Sequence, residues 1–150
     1  MPHRLSVDLE RLVKAFACTS LAEEAFLDIS TGNVISLCVG EQALEERESI
    51  FLRCKSQPAR YRHIPHASPR ELYHDMLSFV ARVENPAIRA ELHRALSGKA
   101  AIRSFCAAVG KFPDVAAQWE AYRRRCLLER VRKWLAREGF ILAEKSVETG

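Results

Sequence analysis

The chain has 150 residues, 48% hydrophobic and 28% charged, with a formal net charge of +4. That length suits one compact domain, and the balance excludes the low-hydrophobicity composition of a disordered chain. The five cysteines, Cys18, Cys38, Cys54, Cys106 and Cys126, form no C-x-x-C pair, so a reducing cytoplasm is expected rather than a disulfide framework.

The amino terminus "MPHRLSVDLERLVKAF" lacks the apolar run and small-residue cleavage site of a secretory signal. No stretch approaches the length of a membrane span, so neither export nor insertion is expected. Ser6 is a candidate cap for a first helix, in which Leu9, Leu12, Val13 and Phe16 recur with helical spacing as far as Thr19-Ser20. Next, Phe26, Leu27 and Ile29 precede a Thr-Gly-Asn turn, and Val34, Ile35, Leu37 and Val39 follow it, which predicts a β-hairpin. "EQALEERESIFLRCKS" opens as an acidic helix former, whereas "SIFLRC" fits helix or strand; helix is favoured. "RYRHIP" predicts a third strand ended by Pro65.

From there the pattern turns helical. Ser68, Pro69 and Glu71 spell a capped helix start, with Leu72, Met76, Phe79, Val80 and Val83 on one face. Asn85-Pro86 starts a second helix carrying Ile88, Leu92, Ala95 and Leu96, with Gly98 as its left-handed stop. Ile102, Phe105, Cys106 and Val109 define a third, closed by Gly110. In the last helical segment, Val115, Trp119, Tyr122 and Cys126 share a narrow sector, but Leu127, Val131, Trp134 and Leu135 centre on a face turned by about 150°. One straight helix cannot bury both stripes against one neighbour. Either it bends near Arg125-Cys126, or its halves serve different parts of the protein; the second suits a helix that rests first on helices and then on the sheet. "FILA" then predicts a short strand before the acidic-polar tail "EKSVETG".

The expected fold is α+β, with a small antiparallel sheet of a hairpin plus one or two strands and a predominantly helical carboxy-terminal bundle. Residues 1–150 are read as a single domain, with a mixed helix and hairpin part over 1–65, a helical part over 66–139 and a tail over 140–150.

Several segments together resemble a bacterial group known as uncharacterised protein family 0158. They are "AFLDISTGNVI", like its hairpin; "YRHIPHASPRELYHDMLSFV", like its strand and Ser-capped helix; "LSGKAAIRSF", in the place of a Gly-Lys-Gly-Ala-Phe-Arg-Arg-Phe motif; and "QWEAYRRRCLLERVRKWL". The likeness covers most of residues 23–136. Ala100, Ile102 and Ser104 stand where the family motif has glycine, phenylalanine and arginine. The resemblance implies continuity of fold and a cytoplasmic bacterial origin, and it carries no activity.

Gly98-Lys99 invites comparison with a phosphate-binding loop, but that motif needs a glycine where this chain has His93 and a hydroxyl where it has Ala100, and it follows a strand. What remains is a helix corner with Lys99 and Arg103, a generic anion-binding arrangement. His63-x-x-His66, with His74 and Asp75 nearby, has metal-ligand residue types without the spacing that places two ligands on one helix face, so no metal or other cofactor is expected. Asp28 with Glu24, or the acidic run Glu45, Glu46 and Glu48, are the available carboxylate pairs; the expected role of Asp28 is to bond turn backbone.

Charge is uneven along the chain. Residues 1–55 hold 6 Lys/Arg and 9 Asp/Glu, whereas residues 56–150 hold 17 and 10. Arg123, Arg130, Lys133 and Arg137 fall within about 80° on the last helix and form a basic stripe. The first functional expectation is a noncatalytic binding or adaptor protein that meets an anionic partner, acidic protein or nucleic acid, through Lys99, Arg103 and this stripe. The second is an enzyme or small-ligand binder with a site between sheet and helices near Asp28, His63, His66 and Lys99. The third is a homo-oligomer joined through whichever half of the last helix cannot reach the intramolecular core.

Overall fold

The computed structural model describes residues 3–18, 20, 23–38 and 40–143. Among them run β1 (His3–Ser6), α1 (Leu9–Ala17), β2 (Glu24–Asp28), β3 (Val34–Leu37), α2 (Leu44–Ser56), β4 (Tyr61–His63), α3 (Pro69–Val80), α4 (Pro86–Ala95), α5 (Ala101–Val109), α6 (Pro113–Arg137) and β5 (Phe140–Ala143). The fold is α+β, and the described residues form six helices, a three-stranded antiparallel sheet in the order β3-β2-β4, and a parallel pair β1-β5. Two compact units divide the chain, one of residues 1–67 with 127–150 and one of Ser68–Cys126. The helix boundary expected at Thr19, the hairpin position Val39 and the tail 144–150 lie wholly or partly outside the described residues.

In the first unit the start of α1 differs from the sequence reading. Ser6 ends β1, and Asp8 is the cap, its carboxylate accepting the Arg11 N–H at 3.3 Å. His3–Ser6 is drawn into strand by pairing with β5 in the register His3↔Phe140 to Ser6↔Ala143. A cap is a local preference of about 1 kcal/mol, and here two nearby residues could supply it, so the distant strand partner decides which one does.

The hairpin forms as expected, with Glu24↔Leu37 to Leu27↔Val34 opposed, and β4 pairs on the other side of β2 with Phe26↔His63 and Asp28↔Tyr61. Alternation along the strands gives the sheet two buried faces. Phe26, Ile35, Leu37 and Tyr61 pack with Ile50, Phe51 and Cys54 of α2. Leu27 and Val34 on the opposite face join Leu12, Val13 and Phe16 of α1 and Leu127, Val131, Trp134 and Leu135 of α6. Phe16 meets Trp134 edge-on at 5.5 Å. Gly32 turns the hairpin at φ +80°, and a Cβ there would lie 1.8 Å from the Ser6 carbonyl oxygen. The turn therefore sits directly on the end of β1, where the Asp8 N–H donates to the Gly32 carbonyl at 3.0 Å. Arg62 of β4 reaches the α6–β5 corner, with Nη1 2.8 Å from Glu138 Oε1 and its guanidinium over the Phe140 ring.

The second unit follows the cap signals closely. Ser68 Oγ accepts the Arg70 N–H at 3.2 Å ahead of α3, and Asn85 Oδ1 accepts the N–H groups of Ala87 and Ile88 ahead of α4. Its core joins Leu72, Met76, Phe79 and Val80 of α3, Leu92 of α4, Phe105 and Val109 of α5, and Val115 and Trp119 of α6. Gly98 is not the left-handed stop that its position suggested. Leu96 ends α4 in right-handed geometry, and Gly98 has no positive φ. The Ser97 hydroxyl donates instead to the His93 carbonyl at 3.0 Å, so a side chain satisfies an end-of-helix carbonyl that a left-handed turn would otherwise cover. At the end of α6 the left-handed residue is Gly139, at φ +95°.

α6 is a continuous helix of 25 residues. Val115 and Trp119 belong to the core of the helical unit, and Leu127, Val131, Trp134 and Leu135 to that of the mixed unit. Each stripe thus contributes to a core within the chain, with Tyr122 and Cys126 only partly buried. No described helix is long and apolar enough to cross a membrane.

Candidate functional site

Asp28 closes β2 where the hairpin turns, and β-sheet geometry buries it to 6% exposure. Its carboxylate accepts the Ser30 N–H at 3.0 Å, the Ser30 hydroxyl at 2.7 Å, and Arg60 Nε and Nη2 at 3.1 and 3.0 Å. The Arg60 guanidinium, foremost, and the Ser30 bonds hold the carboxyl well below the usual carboxylate range, against the opposing effect of burial. Asp28 is therefore a fixed anion that ties the turn to the residue ahead of β4.

The two histidines converge elsewhere, at the opposite end of β2. Strand register puts His63 across from Phe26, with ring centroids 5.1 Å apart, and alternation puts Glu24 on the same face. His63 Nε2 pairs with Glu24 Oε1, while His66 Nε2 meets the Glu23 carbonyl and lies 3.8 Å from Glu24 Oε2. Glu24 forms one wall of an open groove of about 490 Å³ between α2 and the sheet, lined also by Leu37, Arg47, Glu48, Phe51 and Leu52. Beside it, Cys38 Sγ donates to Glu23 Oε1 at 3.2 Å. Burial first, and then this carboxylate, push the thiol pKa up to about 11, so Cys38 is a neutral thiol at ordinary pH.

Of the four residues expected near one pocket, then, His63 and His66 come together on Glu24, Asp28 is engaged with Arg60 instead, and Lys99 belongs to the helical unit. Arg60, Arg47 and Phe51 have no motif that marks them in sequence. Glu24 had a usable signal, the alternation Glu24-Phe26-Asp28 that carries it onto the face of His63. Among the described residues no group of three His, Cys, Asp or Glu is placed to hold a metal ion.

In the helical unit, Lys99 and Arg103 are exposed at the α4–α5 corner, where Ala100 precedes α5 without a side-chain cap. Arg123 is partly buried on the first half of α6. On the second half, in the mixed unit, Arg130 is partly buried and Lys133 and Arg137 are exposed. Sequence reasoning missed the groove between α3 and α4, an open depression of about 700 Å³. Its apolar lining is Leu77, Val80, Ala81, Pro86 and Ala90, and its charged or titratable lining is Arg89, His93 and Arg94. Arg89 Nη1 donates to the Val83 carbonyl at 2.8 Å, which fixes one wall. Arg82 and Arg125 also lie over the Tyr122 ring, at 5.0 and 5.6 Å from its centroid.

Charge sorts between the units less sharply than along the sequence, and with the same sign for the carboxy-terminal helices. Residues 68–126 contain 10 Lys/Arg and 6 Asp/Glu, whereas the remainder of the chain contains 13 of each, so the net +4 resides in the helical unit.

The family model described as Uncharacterised protein family (UPF0158) matches residues 3–149. No curated protein and no solved structure matches the chain.

Proposed function

Because the chain belongs to Uncharacterised protein family (UPF0158), a family with no assigned activity, we propose a function from its geometry: a noncatalytic binding protein of the bacterial cytoplasm whose helical unit receives an acidic partner protein. The observation that carries this reading is the α3–α4 groove, in which an apolar lining is joined by Arg89, His93 and Arg94 within the unit that holds the net positive charge. An amphipathic segment with carboxylates beside its apolar face matches both features. A nucleic-acid backbone would match the cations and leave the apolar lining without a partner. Lys99 and Arg103, exposed at the neighbouring corner, add to the field that steers such a partner.

The displaced titrations favour binding over proton-transfer chemistry. Asp28 is pushed down and Cys38 up, each away from neutrality, where general acid–base groups work best. The cytoplasmic setting is supported by five free cysteines.

The test is capture of partners from a bacterial lysate by the wild-type chain and by His93→Glu with Arg94→Glu, each with and without nuclease, after circular dichroism has confirmed folding. The expected outcome is nuclease-resistant, salt-sensitive capture that the double variant loses. Equal capture by both chains refutes the groove, and capture abolished by nuclease replaces the acidic protein with nucleic acid. A second reading, a small-ligand site in the groove walled by Glu24, rests on the convergence of His63 and His66 there. Ligand-induced chemical-shift changes confined to those histidines would favour it.

A further inference from the structure

Along the side of α2 that borders its groove with the sheet runs a row that the fold leaves exposed. Leu44, Glu48 and Leu52 recur at i, i+4 and i+8, which makes them one ridge of the helix, with Glu45 beside it. Leu44 is 60% exposed and Leu52 67%, and with Ile141 they are the exposed large hydrophobics among the described residues. The same helix packs on the sheet through Ile50, Phe51 and Cys54. A helix that is anchored through these residues and leaves leucines and carboxylates exposed beside them has the form of a helix-in-groove ligand.

We infer that the α2 ridge of one copy of this chain docks into the α3–α4 groove of a second copy. This rests on the reading of that groove as an acceptor of acidic amphipathic segments, and it names the segment. Chemistry agrees at both levels: Leu44 and Leu52 meet the lining of Leu77, Val80 and Ala90, while Glu45 and Glu48 meet Arg94 and His93. Dimensions agree as well. Leu44 to Leu52 spans about 12 Å along a helix, and the 10 residues of α4 provide about 15 Å of wall. Reciprocal docking closes a dimer, and one-way docking extends to longer assemblies.

Sedimentation of the full chain over a range of concentrations tests this with paired charge reversals. Wild type is expected to gain mass with concentration and to lose it in high salt. Leu52→Glu, a change at an exposed position, should weaken association by at least about tenfold, as should Glu45→Arg with Glu48→Arg, or His93→Glu with Arg94→Glu. Mixing the last two double variants recreates one native and one reversed contact and should restore association. A wild-type chain that stays monomeric to high concentration overturns the inference, as does a mixture that fails to associate although both variants are folded. If wild type is monomeric and His93→Glu with Arg94→Glu still loses a captured protein, self-docking falls while the acidic-partner reading stands. Loss of self-association by that variant with unchanged capture supports self-docking and removes the other reading.

Discussion

Replacing Asp28 by asparagine isolates the charge at the hairpin turn. The amide keeps an oxygen to accept the Ser30 N–H but loses the negative charge and turns a second donor toward Arg60. Hydrogen bonds to a charged group contribute about 1.5–3 kcal/mol each. The native carboxylate receives two from Arg60 and two from Ser30. The Arg60 side chain is 46% exposed and can rehydrate when released, so solvent screening reduces its share. The expected net loss for Asp28→Asn is about 2 kcal/mol at pH 7, read as a lower urea midpoint.

The pH dependence provides a second check with a definite sign. The Asp28 carboxyl is depressed in the folded protein, so its contribution is fully present above the unfolded-state value of about 3.9 and is lost as pH falls toward the native value. The stability gap between wild type and Asp28→Asn should therefore be constant from pH 7 to about 5 and narrow below about 4. A gap under about 0.5 kcal/mol at pH 7, the usual range for a surface substitution, or one that stays constant down to pH 3, would refute the reasoning.

Two further outcomes follow from local geometry. Gly32→Ala must place a Cβ 1.8 Å from the Ser6 carbonyl oxygen at φ +80°, and the strain with the forced shift should cost about 3 kcal/mol or more in chemical denaturation; a loss below about 1 kcal/mol contradicts the close packing of turn on strand. In timed alkylation at pH 8 followed by mass spectrometry, exposed Cys106 should be modified well before Cys38 and Cys54, whose thiols burial keeps protonated. Simultaneous labelling of Cys38 and Cys106 in the folded protein would contradict that burial.

The sequence by itself determined the features that depend on neighbours a few residues apart. Ser68-Pro69 and Asn85-Pro86 mark helix starts because a cap bonds N–H groups within its own first turn. The Thr-Gly-Asn turn marks the hairpin because few residues other than glycine tolerate the required φ. The two stripes of α6 were legible as a conflict of direction, since helical periodicity alone fixes where each side chain points. Even Asp28 was legible as a turn residue, through its proximity to Ser30.

What only the tertiary structure decided involves partners far apart along the chain, whose pairing leaves no local mark. His3–Ser6 becomes a strand, and Asp8 rather than Ser6 becomes the cap, because β5 arrives more than 130 residues later. Arg60 reaches Asp28 across 32 positions, and Glu24 reaches His63 across 39; strand register sets both, and a pattern of residue types does not encode register between distant strands. The assignment of each α6 stripe to its own core, and the basic-lined groove between α3 and α4, arise in the same way. A single sequence specifies which faces must be buried, and only packing selects which surfaces bury them and which remain for a partner.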